Sequence, residues 1–176
     1  STQGYSSAAS DVYKRQLTHS VGTAFITDFE ASLRPAALVD PERFGGLPLG
    51  YLTTAEGTRE SSFYKPNADP DVMAHEEATR ETMTDGEDLT LVTGVVNTLG
   101  ITAPVLSLVG RFDVEFCGLV RDCSDPLSLM GLENTFYPAA DSFELRVVPD
   151  AAHNLNLQRN AHTTFDAITS WTAAHT

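Results

Sequence analysis

Two residues of this chain combine a reactive type with a setting that suits proton transfer. Asp113 closes the stretch Gly110-Arg111-Phe112-Asp113, just past the apolar run Ala103 to Gly110. His153 lies in Pro149-Asp150-Ala151-Ala152-His153-Asn154, just past a second run, Phe143 to Val148. A core histidine would sit inside a periodic pattern, and His153 sits beyond one. A carboxylate on one imidazole nitrogen fixes the tautomer and stabilises the imidazolium formed when the other nitrogen takes a proton. That is the base half of a nucleophile–base–acid triad. Singly, Asp113 would read as a turn cap and His153 as a loop residue. Together, at matching ends of two apolar runs, they read as a functional pair.

For the pair to meet, the two runs must be neighbouring strands. Ala103 to Gly110 is short, almost wholly apolar and bounded by proline and glycine, as in a strand buried on both faces of a parallel sheet. Ser124-Asp125-Pro126 opens a helix through Leu129, Leu132 and Phe136. Phe143 to Val148 is the second strand. Asn160 to His175 is a final helix with Phe165, Ile168 and Trp171 on one side. Strand, helix, strand, helix implies a right-handed crossover and a parallel sheet. Adjacent strands lie ~4.8 Å apart, so loops leaving their carboxyl ends can touch, and function gathers at those ends.

Upstream the pattern differs. Phe25, Ile26, Phe29 and Leu33 predict a helix over Gly22 to Leu33. Pro35 to Pro70 reads as loop, punctuated by Pro41, Gly45, Gly46, Pro48, Gly50, Gly57 and Pro66. Asp69-Pro70-Asp71 predicts a helix reaching about Met83. Thr84, with Glu87 in capping-box register, opens another through Leu89, Val92, Val96 and Leu99 to a stop at Gly100. Residues 1–16 have no clear period, resemble a junction, and are not expected to act as a charged-then-apolar leader.

The stretches Ile101 to Asp113 and Val147 to Gln158 resemble the acid-bearing strand and the histidine loop of α/β-hydrolases, with Ala152 where that family usually has glycine. The resemblance implies an α/β fold. Residues 101–176 would be the C-terminal part of the hydrolase core, a partial sheet of parallel strands with flanking helices. Residues 17–100 would be a helical cap and the helix returning to the sheet. It implies that Asp113 is the triad acid and His153 the general base, in an esterase- or lipase-like serine hydrolase acting on a small ester-like substrate without a cofactor. The nucleophile should precede the acid on a Gly-x-Ser-x-Gly elbow. Ser6 in Gly4-Tyr5-Ser6-Ser7-Ala8 has too little chain before it to form a strand. Ser20 in Thr18-His19-Ser20-Val21-Gly22 follows a poor strand, Tyr13 to Leu17. The expectation is therefore that the elbow strand and oxyanion-hole loop are missing from this chain. The alternative is a non-catalytic half-domain that binds a partner or self-associates through an exposed sheet edge.

Composition bounds the rest. The formal charge of −13 repels nucleic acid and anionic lipid. No segment is apolar for the ~18 residues a membrane helix needs. Cys117 and Cys123 flank a short loop just after the acid. A disulfide there would stiffen the acid loop and suit an exported enzyme, while two free thiols would suit the cytoplasm. His19, His75, His153, His162 and His175 lack ligand spacing, so no metal is expected. Phe25, Phe29, Phe63 and Tyr64 are candidates for lining an acyl pocket.

Overall fold

The computed structural model describes residues 31–91, 98–118 and 121–175. Its content is mixed α/β. The first described stretch builds a three-stranded antiparallel sheet in the order β1-β2-β3, from β1 (Leu33–Pro35), β2 (Tyr51–Thr54) and β3 (Met83–Thr84). Helices α1 (Ala36–Val39) and α2 (Pro41–Phe44) follow β1, and α3 (Pro70–Ala78) and α4 (Asp85–Leu91) flank β3. A π-helical turn, Glu60–Tyr64, lies between β2 and α3.

This sheet corrects the expectation of loop and helix alone in this part: Tyr51–Thr54 is a strand within the stretch Pro35 to Pro70 expected as loop. Leu33, expected to end a helix, pairs with Thr54 in β1; the body of that helix, 22–30, lies outside the described residues. The helix expected to reach Met83 stops at Ala78, where the Thr79 N–H and hydroxyl both donate to the His75 carbonyl. Met83 instead pairs with Leu52. Tyr51-Leu52-Thr53-Thr54 is rich in the aromatic and β-branched types that fit a pleated surface, and it holds the centre of the sheet. The capping box of α4 forms as expected. The Glu87 N–H donates to Thr84 Oγ1 at 3.1 Å, and the Thr84 N–H donates to Glu87 Oε2 at 2.7 Å. The expected continuation through Val92 and Val96 lies outside the described residues.

The second part is a two-stranded parallel sheet. β4 (Val105–Gly110) pairs with β5 (Phe143–Val148) from Val105↔Phe143 to Gly110↔Val148. Between them runs α5 (Pro126–Asn134), and after them α6 (Ala161–Ala174). Asp125 caps α5 by accepting the Ser128 N–H at 3.1 Å, and Pro126 takes the first turn, where its missing N–H costs nothing.

Alternation along the strands gives the sheet two apolar faces. Leu106, Leu108 and Val148 join Ala151 and Leu155, and Ala167, Ile168 and Trp171 of α6 cover them. Val109 and Leu145 join Phe116, Cys123 and Leu129 of α5. Leu129 is 1% exposed, a burial worth about 1.5–3 kcal/mol. Phe165, read on the same side of α6 as Ile168 and Trp171, remains exposed. Among the described residues no helix is long and apolar enough to cross a membrane.

Candidate active site

The parallel register places the last residues of β4 and β5, Gly110 and Val148, side by side. The chain then turns twice. After β5 it passes through Asp150, whose φ of 51° is the left-handed conformation that aspartate tolerates better than most residues. After β4 it turns sharply back, the Asp113 N–H donating to the Gly110 carbonyl at 3.2 Å.

The two loops are laced together by backbone. The Arg111 N–H donates to the Val148 carbonyl and the Phe112 N–H to the Ala151 carbonyl, both at 2.9 Å. Gly110 allows this approach, because a Cβ there would stand 2.2 Å from the Ala152 oxygen and 2.5 Å from the Ala151 oxygen. Ala151 and Ala152 are fully buried.

Asp113 and His153 meet as the sequence predicts. His153 Nδ1 lies 3.0 Å from both Asp113 carboxylate oxygens. Asp113 Oδ1 also accepts the N–H groups of Glu115 and Phe116, at 3.0 and 2.9 Å. These bonds make the carboxylate part of its own turn. With Nδ1–H donating to Asp113, Nε2 is the lone-pair nitrogen. It makes no hydrogen bond to any described residue. His153 keeps 22% of its side-chain surface open, against 6% for Asp113. The arrangement can therefore take a proton at Nε2 and hold the resulting charge against a buried carboxylate.

Burial works against charge on His153. The Asp113 charge and hydrogen bond, with the Glu115 charge, outweigh it and raise the imidazole pKa above its ordinary value. Glu115, 2% exposed, is a participant that the sequence reading missed. Its place two residues after the acid was the only signal.

Cys117 and Cys123 are joined by a disulfide with Cα atoms 5.7 Å apart. The Cys117 N–H donates to the Asp113 carbonyl at 2.7 Å, so the crosslink is anchored on the acid itself. Cys123 lies in the core beside Leu129. Of the four aromatics expected to line a pocket, Phe63 and Tyr64 lie among the described residues, and Phe63 lies beside the imidazole, with ring centroids 5.4 Å apart. Tyr64 does not line open space, being 1% exposed and accepting a hydrogen bond from Asn154. Phe25, Phe29, His19, Ser6 and Ser20 lie outside the described residues. Among the described residues no group of three histidine, cysteine, aspartate or glutamate side chains could hold a metal ion.

Comparison with protein-family models and with curated protein sequences found no match for this chain.

Proposed function

We propose that Asp113 and His153 are the acid and general base of a serine hydrolase of the α/β-hydrolase type, acting on carboxylic esters. One observation carries the reading. An imidazole Nδ1 lies 3.0 Å from both oxygens of a buried carboxylate, and each partner stands just past the carboxyl end of one of two paired parallel strands. His153 Nε2 would take the proton of a serine hydroxyl as it attacks the acyl carbon, then return it to the leaving alcohol. Asp113 would hold the tautomer and balance the imidazolium. The disulfide fits an oxidising compartment and hence an exported enzyme.

The reading assigns the serine to a Gly-x-Ser-x-Gly elbow N-terminal to the described residues, where Ser6 and Ser20 are imperfect matches. The chain by itself should hydrolyse p-nitrophenyl butyrate near background. Supplied with an N-terminal portion carrying such an elbow, it should turn over the ester and react with a fluorophosphonate, and His153→Ala should abolish both. Absence of labelling and turnover in the supplemented protein would refute the proposal. Turnover by the chain alone, lost in Ser20→Ala or Ser6→Ala, would move the nucleophile to that serine.

A second reading is a binding half-domain. It is favoured by the fact that, among the described residues, β4 and β5 pair only with each other, and an unpaired strand edge is a template for association. A concentration-dependent dimer in sedimentation, with no gain of activity on supplementation, would favour it.

A further inference from the structure

The residue after the proposed base is gripped from outside its own loop. Asn154 donates its backbone N–H to the Phe63 carbonyl at 3.0 Å and its Nδ2–H to the Tyr64 hydroxyl at 3.1 Å. The same Phe63 carbonyl accepts Gln158 Nε2 at 3.3 Å. Both aromatics belong to the π-helical turn Glu60–Tyr64, a rare form found mostly as single turns and often at functional sites. The turn is itself braced. Arg59 makes a two-pronged ion pair with Glu76, and its guanidinium lies 5.0 Å above the Phe63 ring.

Held only at Nδ1, an imidazole can still tip about its bond to the carboxylate and swing Nε2 off target. A ring seated against its face removes that freedom. The consequence is large, because a misplacement of about 1 Å can cost ~10²-fold in rate. Phe63 supplies that ring, with its centroid 5.4 Å from the imidazole's and its plane tilted by 38°, and Asn154 ties the histidine loop to the turn that carries Phe63.

We infer that Tyr64 is a positioning residue for His153, holding Asn154 so that the imidazole stays seated against Phe63 while Asp113 fixes its Nδ1. The inference deepens the proposed function and rests on His153 being its base. Burial suits Tyr64 to the task. It pushes the phenol well above its usual range, with the Glu76 charge adding and Arg59 opposing, so the hydroxyl stays neutral. The charged groups acting on the imidazole are Asp113 and Glu115 of the acid loop; on the side of the turn, Arg59 is engaged by Glu76.

The test is nuclear magnetic resonance on the isotope-labelled chain, reading the carbon-bound protons of the His153 ring. The Phe63 ring current displaces them, and Phe63→Leu defines their positions without it. Tyr64→Phe keeps the shape and removes the hydroxyl. It should move the His153 protons most of the way to their Phe63→Leu positions. It should also speed exchange of the Asn154 amide about fivefold to tenfold, as for one lost hydrogen bond. Asn154→Ala should move the same protons equally, and the double variant should do no more than either single, since both act through one contact. Unchanged His153 protons in both Tyr64→Phe and Asn154→Ala would overturn the inference. Asp113→Asn reads the underlying assignment separately: if His153 then titrates as in the parent, the acid–base pair itself is refuted.

Discussion

Gly110 and Ala152 touch so closely that a methyl group on Gly110 would stand 2.2 Å from the Ala152 oxygen. Each residue sits just ahead of a partner in the proposed pair, Asp113 and His153. The contact therefore sets the spacing of the two loops. Gly110→Ala should force them apart, costing about 1–3 kcal/mol as in other overpacked interiors. Urea unfolding would measure the loss. In the same variant His153 should titrate closer to a free imidazole, because its carboxylate has moved away.

Asp113→Asn should lower the pKa of His153. In the parent protein the folded imidazole has a raised pKa, so the folded state binds a proton more tightly than the unfolded chain. This stabilisation is fully present below the unfolded value, ~6.5, and is lost as pH rises through the higher folded value. Unfolding free energy measured from pH 6 upward should fall across that window in the parent and lose most of that slope in Asp113→Asn. On the proposed role of general base, the neutral imidazole is the working form, so any hydrolytic activity should rise with pH through the same raised value and follow it in mutants.

Reducing the Cys117–Cys123 disulfide should cost about 2 kcal/mol, the chain-entropy value for so short a loop. Urea midpoints with and without dithiothreitol would show it. Amide exchange at Glu115 and Phe116 should accelerate on reduction, since both N–H groups bind the Asp113 carboxylate beside the crosslink. Equal midpoints in the two states would refute the prediction.

Arg121 and Glu133 form an ion pair at 2.9 Å, with 14% and 3% of their side-chain surfaces open. Burial raises the Glu133 pKa, and Arg121 opposes it. Arg121→Met would strand the carboxylate and should destabilise the chain by about 3–5 kcal/mol near neutrality. A carboxyl with a raised folded pKa is least costly when protonated. The defect should therefore shrink as pH falls toward 5, and Arg121→Met/Glu133→Gln should recover much of the loss at pH 7.

The sequence made the parallel sheet legible because β4 is a short apolar run between proline and glycine, and β5 sets Phe143, Leu145, Val147 and Val148 in a segment of strand length. Phe143 to Val148 matches its observed bounds, and Val105 to Gly110 falls within the stretch expected. Asp113 and His153 were legible for the same reason: each follows a strand end by a few residues. The antiparallel sheet was not. β1 is three residues long and β3 two, too short for any period, and Met83 follows a helical pattern until its pairing with Leu52 overrides it. The role of Tyr64 was hidden because its partner, Asn154, lies 90 positions away, and one hydrogen bond leaves no trace in local composition.

Asp113 and His153 are 40 positions apart, and the crossover helix α5 lies between them. Closing so long a span demands chain entropy that local turns do not, so such a contact forms with or after the docking of that helix. The antiparallel sheet joins strands closer in sequence where β1 pairs with β2. The imidazole thus becomes a clock for folding. In a refolding experiment buffered just above pH 6.5, proton uptake by His153 should lag the gain of backbone structure and coincide with burial of Trp171, which packs on the sheet face beneath the histidine loop.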